Sequence, residues 1–242
     1  VEASAEAAAV SAAAGLREIG EMSATREAAM HDPVKQFLSD GERARIEERV
    51  RLAEQRTSGE IVVMLVPSSS PYEGVVFVPA FVAALLLATP PAMFFGDGGM
   101  WVFLALQLSF FLLFSELFRR VPGLRRFAAG RAAMSQAVEA AAFAAFFLQG
   151  VHRTAGETGI LLYISMFEHK VRVVADRGID SRVPEGAWAG IVERLVEGIR
   201  AGRQGEAIVA AVDRFGELLE SHCPPLPGDV DEIHNGIRSW KP

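Results

Sequence analysis

Two stretches of the chain carry no charged residue: Val75 to Phe95 and Gly98 to Ser115. Coiled as helices, each spans roughly 30 Å, the thickness of a bilayer's hydrocarbon core. Two such helices in tandem must be covered, either by lipid or by a large protein core. A hairpin buried inside a soluble protein is the alternative. Adjacent runs of this length favour two membrane spans. Pro79 lies near the entry of the first run. Pro90 and Pro91 lie near its exit, where a helix can end. The connection PPAMFFGDGG holds one charge, Asp97. Hydrophobic residues make up 50% of the chain and the mean hydropathy is +0.23. That is high for a purely soluble protein and low for a polytopic one, and it suits a soluble domain with a few spans.

The flanks orient the hairpin. Arg119, Arg120, Arg125, Arg126 and Arg131 follow the second run, while the tip has no Lys or Arg. The positive-inside rule then puts both chain ends in the cytoplasm and the tip outside. Arg119, Arg120, Arg125 and Arg126 are candidates for contact with anionic headgroups. Trp101 and Tyr72 are expected as interfacial anchors. Phe103, Phe110, Phe111 and Phe114 offer packing surface to lipid or to a neighbouring helix. Glu116 is expected to reach water or Arg119 and Arg120, and is not read as a proton relay. The net charge of −6 argues against bulk attraction to nucleic acid. One cysteine, Cys223, excludes an intrachain disulfide and a cysteine-rich metal site. The Ala-rich start is interrupted by Glu2 and Glu6 and has no basic region before it, so it does not read as a secretory signal.

Outside the hairpin the pattern is that of a small α/β domain. Ser39 with Glu42 three residues on is a capping box, opening a helix with Ile46, Val50 and Ala53 on one face. Ile61 to Val66 is an apolar, β-branched run, as in a strand covered on both faces. After the spans, Arg131 to Gln149 reads as a helix with Phe143, Phe146 and Phe147. GILLYISM (Gly159 to Met166) reads as a second buried strand. Glu168-His169-Lys170 reads as a tight polar connection to a third strand, Val171 to Ala175. Two helices follow, one with Trp188, Ile191, Val192, Leu195 and Ile199, the other with Ile208, Val212, Phe215 and Leu219. A parallel pairing of strands one and two, with the hairpin and the helix 131–149 between them, is the simplest closure. The expected organisation is an arm over 1–33, the first part of the domain over 34–74, the hairpin over 75–118, the second part over 119–221, and a tail over 222–242. The arm is either mobile or a partner-docking helix. The tail is expected to wrap the surface.

Three segments, FLSDGERARIEERVRLAEQRTSGEIVV, VHRTAGETGILLYISMFEHKVRVVADRGIDSRV and LLESHCPPLPGDVDEI, together with the helix centred on Trp188, resemble the TPM domain family. The likeness runs from Phe37 to about Ile233 and points to the bacterial membrane branch with a hairpin inserted in the domain. Where that branch ends in Asn-Glu-Leu, this chain has Asp231-Glu232-Ile233. The resemblance implies a small TPM-like α/β sandwich interrupted by a two-helix transmembrane hairpin, in the bacterial inner (cytoplasmic) membrane. The functions it implies diverge. One member is a weak acid phosphatase of the photosynthetic membrane, another serves photosystem maintenance, and an animal member is an accessory to a receptor channel. Their shared trait is attachment to larger membrane complexes.

The sequence holds no G-x-S-x-G, H-E-x-x-H, Walker loop or C-x-x-C. Asp229 and Asp231 have a spacing used by some phosphatases but sit in a Pro/Gly-broken tail. Glu60, Asp176 and Asp180 fall on one sheet edge and are the candidate oxygen ligands for Ca2+ or Mg2+, suited to metal-assisted phosphate ester hydrolysis. Their structural alternatives are a turn former, a helix cap or arginine partner, and a solvated glutamate. His222 beside Cys223 reads as a surface imidazole next to a buried thiol. The expected function is a non-catalytic accessory or assembly subunit of a larger membrane complex, with a photosynthetic or other energy-transducing host. The alternative is a membrane-anchored, metal-dependent phosphatase.

Overall fold

A computed structural model describes residues 33–72, 74–94, 99–154, 156–184, 186–225 and 236–239. The arm up to residue 32, with His31, lies outside the described residues. So do Asp97 at the tip and the tail residues Asp229, Asp231, Glu232, Ile233 and His234.

The described residues open with a short helix, α1 (Pro33–Phe37), and then α2 (Asp40–Glu54). Ser39 caps α2 in the expected reciprocal box with Glu42, and Ile46, Val50 and Ala53 are its buried face. Strand β1 (Glu60–Val66) follows and is buried along its whole length. A 3-10 turn (Gly74–Val76) leads into α3 (Phe77–Ala92), which is followed by α4 (Gly99–Arg120). Next come α5 (Pro122–Ala129) and α6 (Arg131–Leu148). Strand β2 (Gly159–Ser165) is also buried throughout, and β3 (Lys170–Ala175) is partly covered. The last elements are α7 (Arg177–Asp180), α8 (Ala189–Arg200), α9 (Gln204–His222) and the short strand β4 (Arg238–Ser239).

The strand order is β3-β2-β1-β4. β1 and β2 are parallel, in register from Glu60 opposite Gly159 to Val66 opposite Ser165. β3 returns antiparallel to β2, as a hairpin should. β4 adds to the free side of β1 through Met64 and Leu65, so part of the tail is a strand and not a surface wrap. The two-residue side-chain period of the strands divides the core in two. Ile61, Val63, Leu65, Ile160, Leu162 and Ile164 face α2, α8 and α9. Val62, Met64, Val66, Leu161 and Tyr163 face α6, meeting Val138, Ala142, Ala145 and Phe146. Each fully buried aliphatic side chain contributes about 1.5–3 kcal/mol. The result is a three-layered α/β sandwich whose central parallel pair is interrupted in sequence by α3 and α4.

α3 and α4 pack on each other through small residues. Ala80, Ala84 and Ala88, four apart on one face of α3, are fully buried, and Phe111 and Phe114 of α4 close over the Val76–Ala80 end. The outer faces are apolar and open: the window in the helical stretch Gly74–Ala92 is 22% buried, that in Gly99–Arg120 only 6%. Both helices are long and apolar enough to cross a membrane. A core helix of a soluble protein would be mostly buried.

Candidate functional site

In open α/β sheets the chemistry gathers beyond the carboxyl ends of parallel strands. Here those ends, Val66 and Ser165, lie side by side at the hairpin side of the sheet. Each strand is followed by hydroxyl-bearing residues, Ser68, Ser69 and Tyr72 after β1, while Tyr163 and Ser165 close β2. They surround one carboxylate, Glu168, which is 2% exposed. Its Oε1 accepts hydrogen bonds from the Ser69 backbone N–H (2.9 Å), Tyr72 hydroxyl (2.9 Å) and Ser68 Oγ (3.3 Å). Ser165 Oγ donates to Oε2 in a short bond. Ser69 Oγ in turn meets Ser165 Oγ (3.0 Å) and the Tyr163 hydroxyl (3.2 Å). Tyr72 and His169 both sit at positive φ, 49° and 51°, an unfavoured region for residues with a Cβ.

This network ties the linker after β1 to the β2–β3 turn. A buried carboxylate is tolerated where donors satisfy its lone pairs. Glu168-His169-Lys170 makes the expected tight polar turn from β2 to β3, corrected in one respect: Glu168 is buried. Tyr72 is corrected as well: it is buried against Phe167 with its hydroxyl on Glu168, not an interfacial anchor. The available signal was the placement of hydroxyls at both parallel strand ends.

Burial, and then the hydrogen bond to Glu168, pushes the Tyr72 phenol above the ordinary tyrosine range. Burial raises Tyr163 too. Folding therefore favours both neutral phenols. Their contribution to stability is full below the unfolded value of about 10 and is lost as pH rises toward the folded values. These are the two tyrosines of the chain. An ultraviolet titration should show less phenolate in the native protein at about pH 10 than in the denatured protein at the same pH.

A basic rim flanks the network. Arg125 donates to the Pro71 carbonyl and lies over the Phe167 ring at 5.2 Å. Arg126 stands 3.1 Å from His169 Nδ1. Burial, helped by Arg126, lowers the His169 pKa and favours its neutral imidazole. A groove of about 460 Å3 opens beside it, lined by Phe37, Met166, His169, Lys170, Ile199 and Arg200 among others. Arg119 and Arg120 both pair with Glu116, at 3.6 and 2.6 Å, as expected.

The other candidates are placed as follows. Trp101 is exposed in the first turn of α4. Phe111 stacks against Phe77 and Phe81, and Phe110 against Phe114, so part of this aromatic set seals the hairpin itself. Phe103 is half-buried. Glu60 opens β1 at the opposite sheet edge. Asp176 caps α7, accepting from the Arg177 N–H at 2.8 Å, and Asp180 is exposed at the end of that helix. Among the described residues no three His, Cys, Asp or Glu side chains gather in a way that could hold a metal ion. The edge triad does not fit Ca2+ or Mg2+ in this arrangement. His222 Nδ1 lies 2.8 Å from the Leu218 carbonyl, and Cys223 is buried, with Arg182 3.7 Å from its sulfur.

Residues 131–218 match the TPM domain. The matched segment runs from α6 into α9 and does not include β1, although β1 pairs with β2 inside it. Among solved structures the chain is similar to the BA42 protein of the psychrophilic bacterium Bizionia argentinensis, determined by NMR. The TM-score is 0.50 at 18% identity, covering 84% of this chain and 96% of that one. The likeness is one of fold. No curated protein matches the chain.

Proposed function

We propose that the chain, whose residues 131–218 match the TPM domain, is a non-catalytic accessory or assembly subunit of a larger membrane protein complex. In this reading α3 and α4 cross the bacterial inner membrane, with both termini in the cytoplasm, and the sandwich sits on the cytoplasmic face. An energy-transducing complex, photosynthetic or other, is the proposed host. The observation that carries the reading lies outside both spans. On α6, Phe143 and Phe147, one turn apart, form an exposed apolar row, 43% and 59% exposed, with Leu148 70% exposed at the helix end beside it. The row stands toward the end of α6 remote from the hairpin, and in this reading lipid does not reach it. Clustered exposed aromatics on a soluble face mark protein contact. The carboxylate network supports the same reading, because Glu168 is engaged in holding domain to hairpin. A rigidly joined anchor suits a part that positions others.

Purification from native membranes in a gentle detergent, followed by mass spectrometry, tests this. The chain should be recovered with partner subunits in stoichiometric amounts. Recovery of the chain alone would overturn the proposal.

A further inference from the structure

We propose that the chain holds one phosphate-bearing anionic headgroup, that of a phospholipid, in the cavity where the linker, the hairpin and α5 meet. The inference rests on the reading that α3 and α4 span a bilayer. The cavity measures about 690 Å3 and is lined by Tyr72, Gly74, Val76, Phe77, Arg119 and Arg125. Its two guanidiniums come from different helices, Arg119 from the last turn of α4 and Arg125 from α5. They sit where the apolar run of α4 gives way to charge, which is the headgroup level of a spanning helix.

The wall is divided as a phospholipid is divided. The half-exposed Phe77, at the start of α3, supplies apolar surface, and Val76, itself buried, completes that side of the wall. The guanidiniums supply planar forks matched to phosphate oxygens. The four basic residues of this flank are not equivalent. Arg120 is held by Glu116 at 2.6 Å, and Arg126 lies against His169. Neither lines the cavity. Arg119 pairs with Glu116 more loosely, at 3.6 Å and beyond hydrogen-bond length, so its N–H donors can turn to a ligand. Arg125 uses one N–H on the Pro71 carbonyl, and a guanidinium has five. Among the described residues, the two carboxylates that contact lining residues are engaged: Glu116 is shared between Arg119 and Arg120, and Glu168 takes the Tyr72 hydroxyl. A basic stretch beside a membrane helix attracts anionic lipid in general. This cavity narrows that attraction to one seat with two named donors.

The full chain, purified from membranes in mild detergent and delipidated, is titrated with phosphatidylglycerol and observed by native mass spectrometry. Recovery in the membrane fraction tests the span reading separately from lipid occupancy. The expected result is a single retained phosphatidylglycerol per chain, with phosphatidylcholine binding much more weakly. Arg119→Gln should weaken binding about fivefold and Arg119→Gln with Arg125→Gln about thirtyfold, from the strength of a basic residue at an anionic surface. Arg131→Gln, on the same basic flank but outside the cavity, should bind as wild type. Arg125 also holds the linker, so the single Arg119 variant, which touches one surface pair, is decisive. Equal losses in the Arg119 and Arg131 variants would overturn the site in favour of a diffuse field. Equal binding of phosphatidylcholine would overturn the anionic requirement. Displacement of the lipid by millimolar inorganic phosphate would overturn the lipid as ligand and assign the seat to free phosphate.

Discussion

Replacing Glu168 with alanine should lower the stability of the sandwich by about 3 kcal/mol or more, because buried donors are left without an acceptor at about 1–3 kcal/mol each. The donors are the Ser69 N–H and the hydroxyls of Tyr72 and Ser165. For a chain of this size the loss corresponds to roughly 10 °C in Tm. Glu168→Gln keeps one acceptor oxygen and should fall between the two. The effect should be local before it is global. Amide exchange at Ser69 and along the linker should quicken in both variants, while the α2 and α9 amides keep their protection below the transition. Unchanged exchange in the linker would show that the network does not join domain to hairpin.

The second large effect is expected at Gly159, the first residue of β2. A Cβ there would collide with the backbone carbonyl of Val151. That carbonyl belongs to a 3-10 turn packed against the strand, and Val151 itself is fully buried. Neither side can yield as a flexible side chain would. Gly159→Ala should cost about 3 kcal/mol or more, the upper range for forced overpacking. Glu60 opposite Gly159 starts the parallel register, so the damage enters the β1–β2 pairing directly. Thermal unfolding by circular dichroism in detergent gives the measurement. A variant as stable as the parent would mean that the turn before β2 is loosely held.

The fold was legible where periodicity and capping chemistry speak. Ser39 with Glu42, and Ile46, Val50 and Ala53 behind them, identify α2 and its inner face without any tertiary information. The uninterrupted runs of β1 and β2 announce strands covered on both faces, and both are. What stayed hidden depends on contacts distant in sequence. α5 lies in the arginine-rich stretch and reads as charge before it reads as helix, although Pro122 at its first turn is a start signal. β4 is two residues long and has no period to detect. Glu168 sits between Phe167 and His169 in what looks like a polar turn. Its burial comes from Ser69 and Tyr72, almost a hundred positions away on the far side of the hairpin. The edge carboxylates show the converse. Glu60, Asp176 and Asp180 share an edge, but the cap of α7 takes Asp176 and no three ligands converge.

The central claim is that the exposed row on α6 faces another protein. A photo-crosslinking phenylalanine analogue at position 147, activated in native membranes, tests it most directly. The account predicts a discrete heavier adduct containing a different membrane-complex subunit. Adducts with lipid alone, or no adduct at 147 under conditions where the probe reacts elsewhere in the chain, would contradict it.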